Sequence, residues 1–104
     1  MFCVAYRFHP LEEDDTAFIA CWKEMTQLIE SELGGLGSRL HRTEDGDLYA
    51  YAKWPDRASW ERMWETEETG RMAELTAHWR ELAGPSEIVF AGDVVEDLHR
   101  PRGV

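Results

Sequence analysis

At the start of the chain the even positions Phe2, Val4, Tyr6 and Phe8 are all large and apolar, while the odd positions turn polar at Arg7 and His9. This period of two predicts a strand with one buried face, closed by Pro10, which has no N–H to give to a ladder. From Thr16 to Leu33 the period lengthens. Phe18, Trp22, Met25 and Ile29 recur every three or four residues, with Lys23, Glu24, Glu30 and Glu32 on or near the opposite side, as in an amphipathic helix. Gly34-Gly35 ends it with the backbone freedom a left-handed C-cap requires. Leu36 to Thr43 and Leu48 to Trp54 return to strand patterning, joined at Glu44-Asp45-Gly46-Asp47, whose Asp-Gly pair suits a tight hairpin turn. Asp56 is placed to cap a short helix carrying Trp60, Met63 and Trp64. Glu65 to Glu68 and Gly70 interrupt that helix, and a second segment puts Met72, Leu75, Trp79 and Leu82 on one face. Gly84-Pro85 stops it, and Glu87 to Val95 reads as the last strand.

The order β-α-β-β-α-β predicts an α+β, ferredoxin-like fold: a four-stranded antiparallel sheet with the helices on one face. Residues 1–104 form one domain, with 97–104 a tail that is loose or docked on a partner. Because residues two apart share a face, the even positions of the strands, Ile88, Phe90 and Val94 included, are expected under the helices. The odd set is amphipathic: Arg7, Arg39, His41, Tyr49 and Tyr51, joined by Val89, Ala91 and Asp93. Left against water it would form an apolar patch with charged tips. A second copy packed face to face covers it, so a homodimer with twofold symmetry is expected, Arg7, Arg39, His41, Tyr49 and Tyr51 forming its seam.

Composition narrows the class. The 104 residues carry 11 Lys+Arg against 21 Asp+Glu, a net charge of −10, which argues against nucleic acid as a partner because phosphate neutralisation needs clustered cations. No apolar run approaches a membrane span, and the N-terminus lacks the basic flank and long apolar stretch of a secretory signal. Cys3 and Cys21 lie in apolar surroundings without metal-ligand spacing, so buried reduced thiols in a cytoplasmic protein are expected.

The candidate chemistry is sparse. Glu12 to Asp15 offers four acids in a row, read either as a cation site or as a helix N-cap complementing the macrodipole. His9, His41 and His99 are scattered and set no metal site. His78 flanks the Met72/Leu75/Trp79/Leu82 stripe, as a boundary histidine or as a pocket-lining acid or base. Four of the five tryptophans fall between residues 54 and 79. Helical spacing explains Trp60, Trp64 and Trp79 as core, or some of them line a flat pocket for a polycyclic ring, where Tyr6 adds a phenol donor. Ser38 has no nucleophile elbow around it, and Gly34, Gly35 and Gly37 lack the lysine and following helix of a phosphate loop.

Gly35-Leu36-Gly37-Ser38-Arg39-Leu40-His41-Arg42, then Glu44-Asp45-Gly46, then Tyr51 through Trp60 resembles the central signature of antibiotic biosynthesis monooxygenase domains in the dimeric α+β barrel superfamily. The resemblance implies a substrate pocket between sheet and helices, a dimer seam filling the barrel, Trp54 as the tryptophan ending the third strand and Trp60 as the aromatic of the next helix. It also brings in a haem-degrading branch, marked by an asparagine on the first strand, a tryptophan on the short helix and a histidine further on. Tyr6 and Arg7 stand where that asparagine is expected, Trp64 is shifted by one residue and His78 lies about a turn too far along, so haem ranks behind no cofactor.

Three functions follow in order. The first is a cofactor-independent monooxygenase acting on a small aromatic or polycyclic substrate, with His78 and Tyr6 as catalytic residues and Trp54, Trp60 and Trp64 binding substrate. The alternative is a non-catalytic dimer that binds a small ligand or a partner. The third is a haem-degrading monooxygenase.

Overall fold

A computed structural model describes residues 1–99. Strand β1 spans Phe2–Phe8, helix α1 Thr16–Leu33, β2 Ser38–Arg42, β3 Leu48–Trp54, α2 Arg57–Glu65, α3 Gly70–Leu82 and β4 Glu87–Asp93. The strands form one antiparallel sheet in the order β2-β3-β1-β4, a ferredoxin-like α+β arrangement. Local chemistry sets the boundaries. Asp56 Oδ1 accepts from the Ser59 N–H at 2.7 Å and caps α2. Gly34 at φ 80° closes α1, and Gly46 at φ 88° turns the β2–β3 hairpin, its N–H reaching the Thr43 carbonyl at 2.9 Å. The acids ahead of α1 divide their roles. Asp14 accepts from the Thr16 N–H at 3.1 Å, while Asp15, at the N-cap position, makes no side-chain cap and instead holds Arg42 of β2 through two bonds of 2.8 and 2.9 Å.

The register makes the two faces explicit. Tyr6 pairs with Ala50 and Ala50 with Leu40, while Val4 pairs with Ala52 and Ala52 with Ser38, all on the helix side. The opposite, open side carries one row of Arg7, Tyr49 and His41 and another of Ala5, Tyr51 and Arg39. Thus the five expected seam residues share one face. Strand β4 departs from the expected alternation. Ala5 pairs with Phe90 but Tyr6 with Ile88, so a bulge leaves Val89 without a partner and reverses parity beyond it. Phe90 therefore lies on the open side, its ring 6.2 Å from Tyr51, not under the helices. Ala91 and Asp93 follow Val4 and Phe2 to the helix side, so Asp93 leaves the open-face set. Arg7 finds its carboxylate within its own chain, at Asp47, 2.9 Å away. Leu36, expected in a strand, precedes β2 and is half exposed.

The core is divided. At one end Phe8, Phe18, Leu48 and Ala50 pack with Trp22 and Trp79; at the other, Phe2, Val4, Trp54 and Trp60 pack with Ile29 and Met63. Tyr6 touches both clusters. Helices α1 and α3 are tied together by the Cys21 thiol, which donates to the Leu75 carbonyl at 3.5 Å, and by Arg71 of α3, which donates to Glu24 of α1. Both cysteines are free and buried. No helix among the described residues is long and apolar enough to cross a membrane. Asp97 accepts from the His99 N–H at 2.9 Å and Leu98 is exposed; the rest of the expected tail, 100–104, lies outside the described residues.

Candidate functional site

The gap between the two core clusters is a cavity of about 380 Å3. Its floor is the helix side of the sheet, where Ala50 and Ala52 are small and Tyr6 and Trp54 stand up at either side. Met25 and Ile29 of α1 form one wall, Met63 and Trp64 of α2 and Met72 and Trp79 of α3 the other. The same 3.6-residue stripes that pack the core thus line the space. Few polar groups reach it. Thr76 of α3 donates to Glu68, the one carboxylate among the lining residues, and Arg80 stands one turn further along α3.

Tyr6 is the central polar group. Its Oη accepts from the Trp60 indole N–H at 2.9 Å, which leaves the phenol's own hydrogen free to point elsewhere, and Tyr6 lines the cavity. Burial pushes the phenol above the usual tyrosine range, against the weaker downward pull of the Trp60 hydrogen bond. At neutral pH Tyr6 is a neutral hydrogen-bond donor in apolar surroundings, where such a bond is stronger than in water.

Of the other expected site residues, Trp54 is buried and lines the cavity. Trp60 is buried beside Phe2, their rings 5.4 Å apart, and does not line it, so its reach into the site is through Tyr6. Trp64 packs edge-on against Trp60 at 6.2 Å and is 62% exposed, which puts it at the rim. His78 is not brought to the cavity. It lies on the outer side of α3 with Nδ1 3.6 Å from Glu81, because a 100° step per residue carries it off the inward stripe. Arg7, Arg39, His41, Tyr49 and Tyr51 are on the far side of the sheet, the Arg7 guanidinium 5.9 Å above the Tyr49 ring. Trp22, expected on the packed face of α1, and Trp79, for which core and pocket were both open, line the cavity, since periodicity cannot separate packed from cavity-lining positions. No cluster of three His, Cys, Asp or Glu among the described residues could hold a metal ion.

Residues 1–75 match the antibiotic biosynthesis monooxygenase family, and the chain belongs to that family. Curated protein sequences give no significant match. Among solved structures, SnoaB, a cofactor-independent oxygenase from Streptomyces nogalater, is similar at a TM-score of 0.74 and 16% identity, over 95% of this chain and 97% of that one. Rv0793 from Mycobacterium tuberculosis is similar at 0.70 and 18%, over 94% and 98%. The haem degrader MhuD, also from Mycobacterium tuberculosis and solved with two haems in its active site, is similar at 0.69 and 13%, over 95% and 100%. These likenesses establish a shared fold.

Proposed function

We propose that the chain is a cofactor-independent monooxygenase that takes a small aromatic or polycyclic substrate into the cavity beneath its helices and works as a cytoplasmic homodimer. The observation that carries this reading is the Tyr6 hydroxyl, held by Trp60 at a mostly apolar cavity walled in large part by aromatic rings and methionines. A phenolic or enolic substrate that loses a proton becomes an anion rich enough in electrons to react with dioxygen directly. The protein's tasks are then to desolvate it, orient it and stabilise its negative oxygen. Tyr6 donates to that oxygen, and Trp60 acts through Tyr6 by fixing its orientation. Trp54 and Trp64 offer ring faces to the substrate, and Glu68 is the group able to accept the proton. The description of SnoaB as a cofactor-independent oxygenase supports the same reading.

Haem fits this donor set poorly. Among the described residues no histidine lines the cavity, and His78 is directed away beside Glu81. The dimer is supported by the open face, where Tyr49 and Tyr51 are partly exposed and Phe90 is 52% exposed, an apolar surface that a second copy would cover.

Oxygen consumption with a panel of hydroquinones and fused-ring phenols tests the proposal. Turnover should appear without added metal or haem, and Tyr6→Phe should slow it by about 100- to 1,000-fold, the effect of losing one oxyanion donor. Activity unchanged in Tyr6→Phe would overturn the mechanism. Ligand-induced thermal shifts without turnover would favour a binding protein, and a Soret shift with added haemin would favour haem handling.

A further inference from the structure

We infer that Gly35 sets the length of flat molecule the cavity accepts: bare of a side chain, it lets Ile29 and Trp54 stand back and leaves room there for a third fused ring. The inference rests on the cavity being a ligand site. The C-cap of α1 needs only one of its two glycines. Gly34 is left-handed, whereas Gly35 lies outside that region, so its backbone conformation does not call for glycine. What bars a side chain at Gly35 is space. A methyl placed on its Cα would stand 2.9 Å from Ile29 Cγ2 and 3.6 Å from Trp54 Cη2, the first well inside van der Waals contact.

The backbone on either side is pinned. Gly35 N–H donates to the Ile29 carbonyl at 3.3 Å, Leu36 N–H to the Lys53 carbonyl at 2.9 Å and Lys53 N–H to the Gly37 carbonyl at 2.9 Å. The loop cannot draw back without breaking its bonds to β3, so a side chain must yield. Ile29 is the one that yields, since Trp54 is at ordinary contact distance and buried. A β-branched residue in a helix is held near one χ1 rotamer, so the isoleucine moves as a unit. Gly35, Ile29 and Trp54 all line the cavity, and the open volume beside Ile29 is the cavity itself. Tyr6 and Trp54 bound its alanine floor, and Trp54 lies four residues along β3 from Ala50, the partner of Tyr6. That is about 13 Å along the strand, a span that fused rings lying in line occupy.

Isothermal titration of the full chain with 2-naphthol and anthracen-2-ol tests this, because the two probes differ by one ring of length. Gly35→Ala should weaken anthracen-2-ol by about 10-fold or more, the effect of overpacking a filled site, and change 2-naphthol little. Adding Ile29→Leu, which conserves volume but removes the branch methyl, should restore anthracen-2-ol. Equal losses for the two phenols, or a double variant no better than Gly35→Ala alone, would overturn the role of Gly35 while leaving the cavity reading intact. If Gly35→Ala does not fold, Ile29→Ala reads the same wall from the other side: it should raise the preference for anthracen-2-ol over 2-naphthol, and an unchanged preference would overturn the inference. If neither phenol binds the parent, the cavity reading falls and the role of Gly35 with it.

Discussion

The two faces of this sheet follow the same alternation and end in opposite physical states. On the helix side Phe2, Val4, Phe8, Leu48 and Trp54 are buried, and the space they leave is bounded by three helices. On the open side Arg7, Tyr49, His41, Arg39, Tyr51 and Phe90 stand in rows with nothing from the described chain packed over them as a layer. Arg7 is paired with Asp47, while the ring faces of Tyr49, Tyr51 and Phe90 are left partly bare. An alternating strand thus specifies that its two sides differ, but not what will cover each. The helices close one side within the chain, and on our reading a second copy closes the other.

The largest expected effect is on assembly. If the open face is the seam, Tyr51→Glu places an unpaired charge at its centre and should weaken association by about 100-fold or more. Light scattering would then move from about twice the 12.1 kDa chain mass to the monomer value. A parent that is already monomeric at micromolar concentration would break the comparison.

Next comes stability, where the two faces should separate cleanly. Phe2→Ala removes a ring with no exposed surface from the helix-side core and should cost about 3–5 kcal/mol in urea unfolding. Phe90→Ala, on the open side, should cost about 1 kcal/mol or less in dilute solution, where the chain is monomeric, and more as concentration rises and the dimer forms. Equal losses for the two would mean that the open face is packed within a single chain.

The smallest effect concerns pH. Burial raises the Tyr6 pKa, so the folded chain keeps that proton at pH values where the unfolded chain has released it. The contribution is fully present below about pH 10 and is lost as pH rises through the folded value, so stability should fall along that limb. Tyr6→Phe should flatten the decline in unfolding experiments between about pH 9 and 11. An identical slope would show that Tyr6 is not the group responsible.

Much of the architecture was legible from local patterning. The bounds of α1 and β3 follow directly from Gly34 and from the Asp-Gly turn at one end of β3, because caps and turns are decided by a few adjacent residues. Strand β4 was misread because parity reasoning assumes an uninterrupted ladder. The bulge at Val89 is a mismatch between two strands distant in sequence, and no residue within β4 announces it. Tyr6, Trp54 and Trp64 were legible as site candidates by residue type and face. Trp22 was not, since helical spacing puts a cavity-lining residue and a packed core residue on the same face. His78 drew notice for its chemistry, yet one helical step turns it to the outside.

The sequence by itself determined the element order, the single sheet, the sidedness of its first three strands and the family signature, all carried by short-range spacing and turn chemistry. Only the tertiary structure decided that the core splits around a cavity, that the Trp60 indole is hydrogen-bonded to Tyr6, and that Phe90 faces away from the helices. Those outcomes depend on how side chains remote in the chain fill, or fail to fill, a shared volume, and periodicity within one element holds no information about that.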